Sequence, residues 1–389
     1  MSRLLLFTLF LFMCFSCGNS NESDKGLALK ALPAIHLKKT ELSKEQQTMA
    51  NRLDSMFRKF YLTRQFNGAV LVAKAGKIIY KNNFGIQNKR DNSPLSDSSM
   101  FQLASISKVI TATAVLMLYE RKLINLNKDV SEYLPDFPYK NIKVKELLSH
   151  RSGLPNYLYV LNSELYIPEY RMSNEDMYER FVSKKPGLYY KPNRRFNYCN
   201  TNYALLALLV EKISGKPYAQ FLREEIFEPL GMKHTASIYD IDLQGKNVTQ
   251  PYDLRWRPVD FDASDYVLGD KSIYSTAYDL FLFSEAMYQN RILKPETQAL
   301  AYTAFSRELR QHNYGYGWRM KNFKDPVKKE VYHNGWWHGY RTAFHRRLSD
   351  SLTVVILSNQ LNKTTYHTYK VYDILDNTNQ VVLGEDVDQ

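Results

Sequence analysis

The stretch that most limits what this chain can fold into is Val109–Leu118. Its ten residues, VITATAVLML, are apolar or small on every side of a helical turn. A helix with no polar face has to lie inside a core. Glu120, Arg121 and Lys122 end it, with cations where the helix dipole favours positive charge. Upstream, Phe101 to Leu103 reads as a short strand or turn leading in. Ser105 and Lys108 stand three residues apart and so share one helical face, and no other serine of the chain has a lysine at that spacing. A hydroxyl, an amine within reach of it and the positive end of a helix dipole make a nucleophile site. The same residues also describe an ordinary helix start with a solvated lysine.

The N-terminus points to export. Leu4 to Met13 is apolar apart from Thr8 and follows Arg3. The run is too short to span a bilayer and fits the apolar region of a signal peptide. Cys14-Phe15-Ser16-Cys17-Gly18 and a polar stretch follow, which resembles a bacterial lipoprotein signal: small Ser16 precedes the cut and Cys17 is the lipidated first residue. Cys14 and Phe15 depart from that pattern, and an ordinary secretory signal is the alternative. The expected layout is a signal over 1–17, a flexible tether over 18–42, one catalytic domain over 43–379 and a tail over 380–389. The expected location is the bacterial cell envelope, with a periplasmic or surface lipoprotein held to the membrane through Cys17. No later segment is apolar enough to cross a membrane.

Cysteine and charge agree with export. Of the three cysteines, Cys14 leaves with the signal and Cys17 carries lipid, so Cys199 remains alone and the domain relies on its core rather than on a disulfide. The net charge of +12 would suit nucleic acid, but the lysines and arginines are spread along the chain. For an exported protein, a basic surface facing anionic envelope material is the better reading. Nucleic acid is not an expected partner.

Ser43-Lys44-Glu45-Gln46 is a capping-box pattern, and Met49, Leu53, Met56, Phe57 and Phe60 follow at helical spacing. AVLVAK, a turn at Gly76 and KIIYKNNFG read as a hairpin. Asn141 to Gly153 holds a short helix, IKVKELLSH, stopped by Gly153 and Pro155. Asn202–Ser214 reads as an amphipathic helix, with others over Tyr218–Phe227 and Ser275–Tyr288. Strands resume at Tyr332 and include Thr342–Arg346 and LTVVILSN; Thr364–Leu375 closes the chain as a helix. The expected fold is therefore α+β: an antiparallel sheet built from both chain ends and flanked by helices, with a mainly helical region inserted between.

Two further motifs carry chemistry. Tyr-x-Asn triplets start at Tyr80, Tyr139, Tyr198, Tyr288 and Tyr332, so the triplet alone says little. Tyr198-Cys199-Asn200 stands out by its Pro/Asn/Arg-rich loop, KPNRRFNYCNTNY, which opens onto a helix. In an extended loop Tyr198 and Asn200 point one way and Cys199 the other. His333-Asn334-Gly335 is the one His-x-Gly in the chain and leads into Trp336 and Trp337. Without function these would be a turn with a packed tyrosine and an aromatic hairpin.

Ser-x-x-Lys, Tyr-x-Asn and His-x-Gly in this order resemble the serine β-lactamase-related hydrolases. These include class C β-lactamases, D-alanyl-D-alanine carboxypeptidases, D-aminopeptidases and family VIII esterases. NGAVLVAKAGKIIY, VKELLSHRSGLP, EPLGMKHT, IYSTAYDL, YGYGW and VVILSN are also similar to theirs, so the resemblance runs from about Phe66 to Asn359. It implies that Ser105 is acylated, that Lys108 accepts or relays its proton and that Tyr198 passes a proton to the leaving group. Asn200 would position Lys108 and the substrate amide, and His333 and Gly335 would line the strand against which substrate lies. The N–H groups of Ser105 and Trp336 would form the oxyanion hole. Whether Lys108 or Tyr198 is the base stays open.

There are departures too. His333 stands where many β-lactamases have lysine, which puts efficient lactam hydrolysis in doubt; Trp336 and Trp337 are bulky; Asn193 and Ser272 stand at or near usual glycines. The expected activity is that of a D-alanyl-type carboxypeptidase, D-aminopeptidase or esterase with weak β-lactamase activity. A true class C-like β-lactamase and a non-catalytic penicillin- or peptidoglycan-binding module are the alternatives. The expected partners are a small peptide, ester or lactam, peptidoglycan, and the membrane through the lipid. No Gly-x-Ser-x-Gly elbow and no His-Glu-x-x-His or Cys/His cluster is present, so neither an α/β-hydrolase, a catalytic metal nor a cofactor is expected.

Overall fold

The computed structural model describes residues 41–377 apart from 166, 168, 244, 307–311, 323 and 326, together with Leu32, Ile35 and Leu37. The segments expected to be signal and tail, Cys17, and almost all of the expected tether lie outside the described residues. Ser43 accepts the Gln46 N–H at 3.2 Å while the Gln46 side chain accepts the Ser43 N–H at 3.1 Å, so two otherwise orphaned donors are satisfied where helix α1 (Lys44–Leu62) begins. The other helices that bear on the site are α2 (Ser107–Glu120), α3 (Asn174–Lys184), α4 (Asn200–Ser214), α5 (Ala277–Tyr288) and α6 (Thr368–Leu375).

The chain makes the hairpin β1 (Gly68–Lys74) and β2 (Lys77–Phe84), turning through Ala75 and Gly76, both at positive φ. It then leaves the sheet. It returns for β3 (His312–Tyr314), β4 (Arg319–Lys321), β5 (Glu330–Trp337), β6 (Tyr340–Arg347) and β7 (Leu352–Ser358). The seven strands are ordered β2-β1-β7-β6-β5-β4-β3, every neighbour antiparallel. Strand β1 thus pairs with β7, from Gly68 opposite Ser358 to Lys74 opposite Leu352, and both chain ends share one sheet, as expected.

Alternation puts a different core on each face. Val70, Val72, Val354 and Ile356 meet Leu53 and Phe57 of α1 and Val371 and Ile374 of α6. Ala69, Leu71, Val355 and Leu357 face the inserted region, with Val109, Val115 and Leu280 in the same core. Residues Ser107–Leu118 of α2 are all buried, as their composition requires.

Several helices differ from expectation. Helix α4 starts at Asn200, and Thr201–Val210 are all buried, so it is a core helix rather than an amphipathic one. It packs against α2, α3 and Val144–Leu148, so that only its ends reach solvent. The helix expected over Tyr218–Phe227 is an α-turn, Tyr218–Leu222, followed by a π-turn, Arg223–Phe227. The helix of the IKVKELLSH segment covers only Val144–Leu148, and Ser275 belongs to a short strand, Ile273–Ser275, with Thr276 capping α5.

That short strand pairs with Phe101–Gln102, and the Leu103 N–H donates to the Ile273 carbonyl at 2.8 Å. The entry to α2 is also tied to the large sheet, because Thr342 Oγ1 of β6 donates to the Leu103 carbonyl at 2.8 Å. Strand β5 crosses this turn at Gly335. A Cβ there would lie 2.1 Å from Thr342 Oγ1, 2.4 Å from the Leu103 carbonyl oxygen and 3.1 Å from Ala104 Cβ. The glycine is therefore a spacing requirement: it lets β5 lie against the turn that carries Ser105. Gly335→Ala is expected to cost about 1–3 kcal/mol of stability through overpacking against backbone that cannot yield. It should also slow covalent labelling of Ser105 at least about tenfold by forcing the strand outward. Thermal unfolding and fluorophosphonate labelling rates check both.

Candidate active site

Ser105 sits in a 3-10 turn, Ala104–Ile106, that runs directly into α2. Ala104 before it has φ +50°, a conformation an alanine adopts only under constraint from its surroundings. Lys108, one turn on, is fully buried. Its Nζ lies 3.0 Å from Ser105 Oγ and donates to the Asp270 carbonyl at 2.7 Å. It stands 5.1 Å from the Tyr198 ring centroid and 5.8 Å from that of Tyr203. As a neutral amine Lys108 has its lone pair in place to take the Ser105 proton; as an ammonium it holds both oxygens.

Tyr198 reaches this pair from the loop that opens α4. The loop is fixed from behind by His150: the Asn197 N–H donates to the His150 carbonyl at 2.8 Å, and the Cys199 N–H donates to His150 Nδ1 at 3.2 Å. The His150 ring lies 4.4 Å from the Tyr198 ring. Cys199 is the N-cap of α4 and is buried, and burial pushes its thiol up to about 11, which makes it a poor nucleophile at neutral pH. Asn200 Oδ1 is buried without a hydrogen-bond partner. An unpaired buried acceptor is costly, and a substrate N–H would relieve it.

The third wall is β5. Strand β4 pairs with it only over Glu330–Tyr332, so from His333 onward no described strand covers that edge. The Gly335 carbonyl accepts the Tyr366 hydroxyl at 2.7 Å, which fixes the strand backbone, and Trp336 beyond it is 59% exposed. The His333 ring is fully buried with both nitrogens engaged: Nδ1 is 2.7 Å from the Asn334 carbonyl and Nε2 is 3.1 Å from the Tyr314 hydroxyl. Nδ1 therefore carries the proton and Nε2 accepts. Burial, reinforced by the positive charges of Arg319 and Lys108, holds the ring well below its ordinary value and hence neutral.

Sequence reasoning passed over Arg319. It follows the YGYGW segment on three-residue β4, opposite Tyr332, and its guanidinium carbon is 5.2 Å from the Tyr198 ring centroid. Tyr198 thus has both the Lys108 amine and the Arg319 guanidinium beside its ring. His150, which supports the same tyrosine, was visible only as part of the family-like VKELLSHRSGLP. Asn193 and Ser272, at or near usual glycines, have φ +59° and +74°: both keep the left-handed backbone that glycine adopts freely.

Asp262, Asp265 and His338 place three ligand atoms within 4.8 Å of one another. Their oxygens already serve the fold. Asp265 accepts Trp337 Nε1 at 2.7 Å and His338 Nε2 at 2.9 Å, and Asp262 accepts Ser264 Oγ at 2.6 Å. The cluster ties the Asp262–Tyr266 turn to the end of β5, and nothing further points to an ion.

A serine turned into a helix start, a buried lysine against it, a tyrosine beside the lysine and an open strand edge are an arrangement suited to a serine hydrolase. The beta-lactamase family profile matches residues 46–378, and the chain belongs to that family. It is 32% identical over 345 residues to penicillin-binding protein 4* of Bacillus subtilis, covering 82% of this chain and 74% of that one. It is 28% identical over 267 residues to the teichoic acid D-alanine hydrolase of Staphylococcus aureus, covering 68% of this chain and 64% of that one. Its fold is similar to that of an octameric penicillin-binding protein homologue from Pyrococcus abyssi, with TM-score 0.74 and 23% identity over 85% of this chain and 78% of that one.

The buried histidines set an acid limit to stability. His150 and His333 are both held well below the ordinary value of 6.5, chiefly by burial. Below about pH 6.5 the unfolded chain binds protons that the folded one refuses, so stability is full above that pH and falls as the pH drops below it. Each histidine is expected to remove about 1.4 kcal/mol per pH unit until its folded value is reached. Denaturant midpoints between pH 8 and pH 5 check this, and His150→Gln should flatten the slope.

Proposed function

We propose that this chain hydrolyses D-alanyl-type peptides or esters through a Ser105 acyl-enzyme, as a carboxypeptidase, D-aminopeptidase or esterase with weak β-lactamase activity. The observation that carries the proposal is the 3.0 Å contact between Ser105 Oγ and the fully buried Lys108 Nζ, beneath an open strand edge. The acyl donor would lie along β5. Ser105 Oγ attacks its carbonyl carbon while the proton passes to Lys108, directly or by way of Tyr198. Electron density moves onto the carbonyl oxygen, which the Ser105 and Trp336 N–H groups would receive. Collapse expels the leaving amine or alcohol, protonated from the Lys108–Tyr198 pair; water then repeats the sequence on the ester. Asn200 Oδ1, buried and unpartnered, would accept an N–H of the acyl side.

Its relatives include a teichoic acid D-alanine hydrolase and a penicillin-binding protein, which supports D-alanyl esters and peptides as the donors. His333 is neutral and buried, so it offers no charge to a substrate carboxylate; Arg319 beside Tyr198 would supply it instead. A lactam carboxylate normally met by a lysine on this strand would be held less well, hence weak β-lactamase activity. Intact-mass measurement after parallel incubation with penicillin, p-nitrophenyl esters and D-alanyl peptides is expected to show an adduct on Ser105 that Ser105→Ala abolishes in a folded protein. Arg319→Leu should lower kcat/KM for a peptide with a free C-terminal carboxylate by about ten- to a hundredfold and leave a neutral ester within about threefold, the difference matching one charge-assisted hydrogen bond. An adduct on another serine, or equal losses on both substrates, refutes the respective assignment.

We further propose that the chain is a lipoprotein of the bacterial cell envelope, anchored through Cys17. The short apolar run, Ser16 before Cys17 and the polar tether support this. Labelled palmitate should enter the protein in a bacterial host and be lost in Cys17→Ala; a mature form starting elsewhere and free of lipid refutes it.

A further inference from the structure

Beneath the site lies a charged pair that none of the motifs uses. Lys271 Nζ is 3.2 Å from Asp270 Oδ2, with side chains only 3% and 1% exposed. Lys271 also donates to the Tyr157 hydroxyl and stands 4.7 Å from the Trp337 ring centroid and 5.2 Å from that of Tyr157. The Tyr157 oxygen is 3.5 Å from both Asp270 carboxylate oxygens. Burial and the Asp270 charge push this phenol well up, so it keeps its proton and donates to Asp270 while accepting from Lys271. The triangle joins three parts of the site: the segment before Ile273–Ser275, the end of β5 through Trp337, and the base of the Tyr198 loop, since the Tyr157 N–H donates to Thr201 Oγ1 at 2.7 Å.

A pair this deep adds little stability over an apolar replacement, so stability does not account for it. Asp270 has a second role, because its carbonyl oxygen accepts Lys108 Nζ at 2.7 Å. By covalent geometry the carboxylate lies within about 6 Å of that carbonyl, so the pair is close enough for an imbalance in it to be felt by Lys108. The other groups facing Lys108 are neutral or rings. Tyr203 and Tyr314 keep their protons, His150 and His333 stay unprotonated, Cys199 stays a thiol, and the Tyr198 ring lies at 5.1 Å. Arg319 is the further charge, acting on both histidines.

We propose that Asp270 and Lys271 are positioning residues for Lys108: the pair fixes the carbonyl that holds its Nζ, and its internal charge balance governs the transfer of the Ser105 proton. The proposal rests on Lys108 serving Ser105, as described above.

The test is the pH profile of kcat/KM on p-nitrophenyl acetate for wild type, Asp270→Asn, Lys271→Met and the double variant, with fluorophosphonate labelling of Ser105 and circular dichroism alongside. Asp270→Asn leaves an uncompensated cation and should move the acid limb to lower pH; Lys271→Met leaves an uncompensated anion and should move it to higher pH, each by about half a unit or more. The double variant should return to the wild-type limb. Limbs that stay in place, or move the same way in both single variants, while the proteins remain folded and labelled at Ser105, overturn the proposal and leave the nucleophile assignment standing. If a single variant does not fold, the charge-free double decides. A wild-type limb with kcat lowered about tenfold at unchanged KM supports the positioning role, and an unchanged kcat overturns it. No labelling of Ser105 in the wild type would bring down the nucleophile assignment first, and this proposal with it.

Discussion

The approach of β5 to the Leu103–Ala104–Ser105 turn is the contact on which the site depends. Ser105 alone is a hydroxyl at a helix start. It becomes a candidate nucleophile because a strand edge lies within reach on one side and a lysine on the other. The strand can come that close because position 335 carries no side chain, and Thr342 of the next strand ties the turn down through the Leu103 carbonyl. The left-handed Ala104 is what the turn concedes to that geometry: the backbone bends so that Ser105 leads straight into α2. Such a contact joins residues far apart in the chain, which is why the two-part sheet has to close before a site exists.

Around Lys108 the structure removes charge rather than adding it. Burial keeps two histidines unprotonated and several phenols protonated, and Cys199 remains a thiol. In a medium of low dielectric the few remaining charges then act over longer distances than they would in water. Arg319 beside Tyr198 and the Asp270–Lys271 pair behind Lys108 are therefore well placed to govern proton transfer. The acid sensitivity of the fold follows from the two histidines in that arrangement, which are bases held unprotonated by burial.

The elements with strong local signals were legible in the sequence: the all-apolar α2, the capping box at Ser43, the β1–β2 hairpin and the β-branched β7. So were Ser105 and Lys108, because one helical turn separates them, and Tyr198 and His333 through their motifs. What escaped has physical reasons. Strands β3 and β4 are three residues each, too short to show alternation, and Arg319 was hidden with them. Helix α4 read as amphipathic because Asn202 and Tyr203 count as polar or intermediate, yet both are buried, with Asn202 paired to Ser152 and His150. The Asp270–Lys271 pair was invisible because adjacent opposite charges in a sequence nearly always mean a wet loop; only tertiary packing by Tyr157 and Trp337 makes them a buried unit.

His333 shows how a side chain singled out by its motif can be taken up in supporting the strand that carries it. It stands where many β-lactamases have lysine, and a neutral histidine grips a carboxylate less firmly than a lysine does. The imidazole is indeed neutral, but both its nitrogens are engaged by Asn334 and Tyr314, so the ring supports the strand from within. The cation missing from position 333 is present on the neighbouring strand as Arg319, against Tyr198. A guanidinium is charged at every working pH and presents a planar fork to a carboxylate. Moving the charge from β5 to β4 therefore changes the direction from which an anionic group can be met. It also places that charge beside the group expected to carry protons to the leaving group. Anion recognition and proton transfer would then share one residue's field, which ties the choice of substrate to the rate of the step it undergoes.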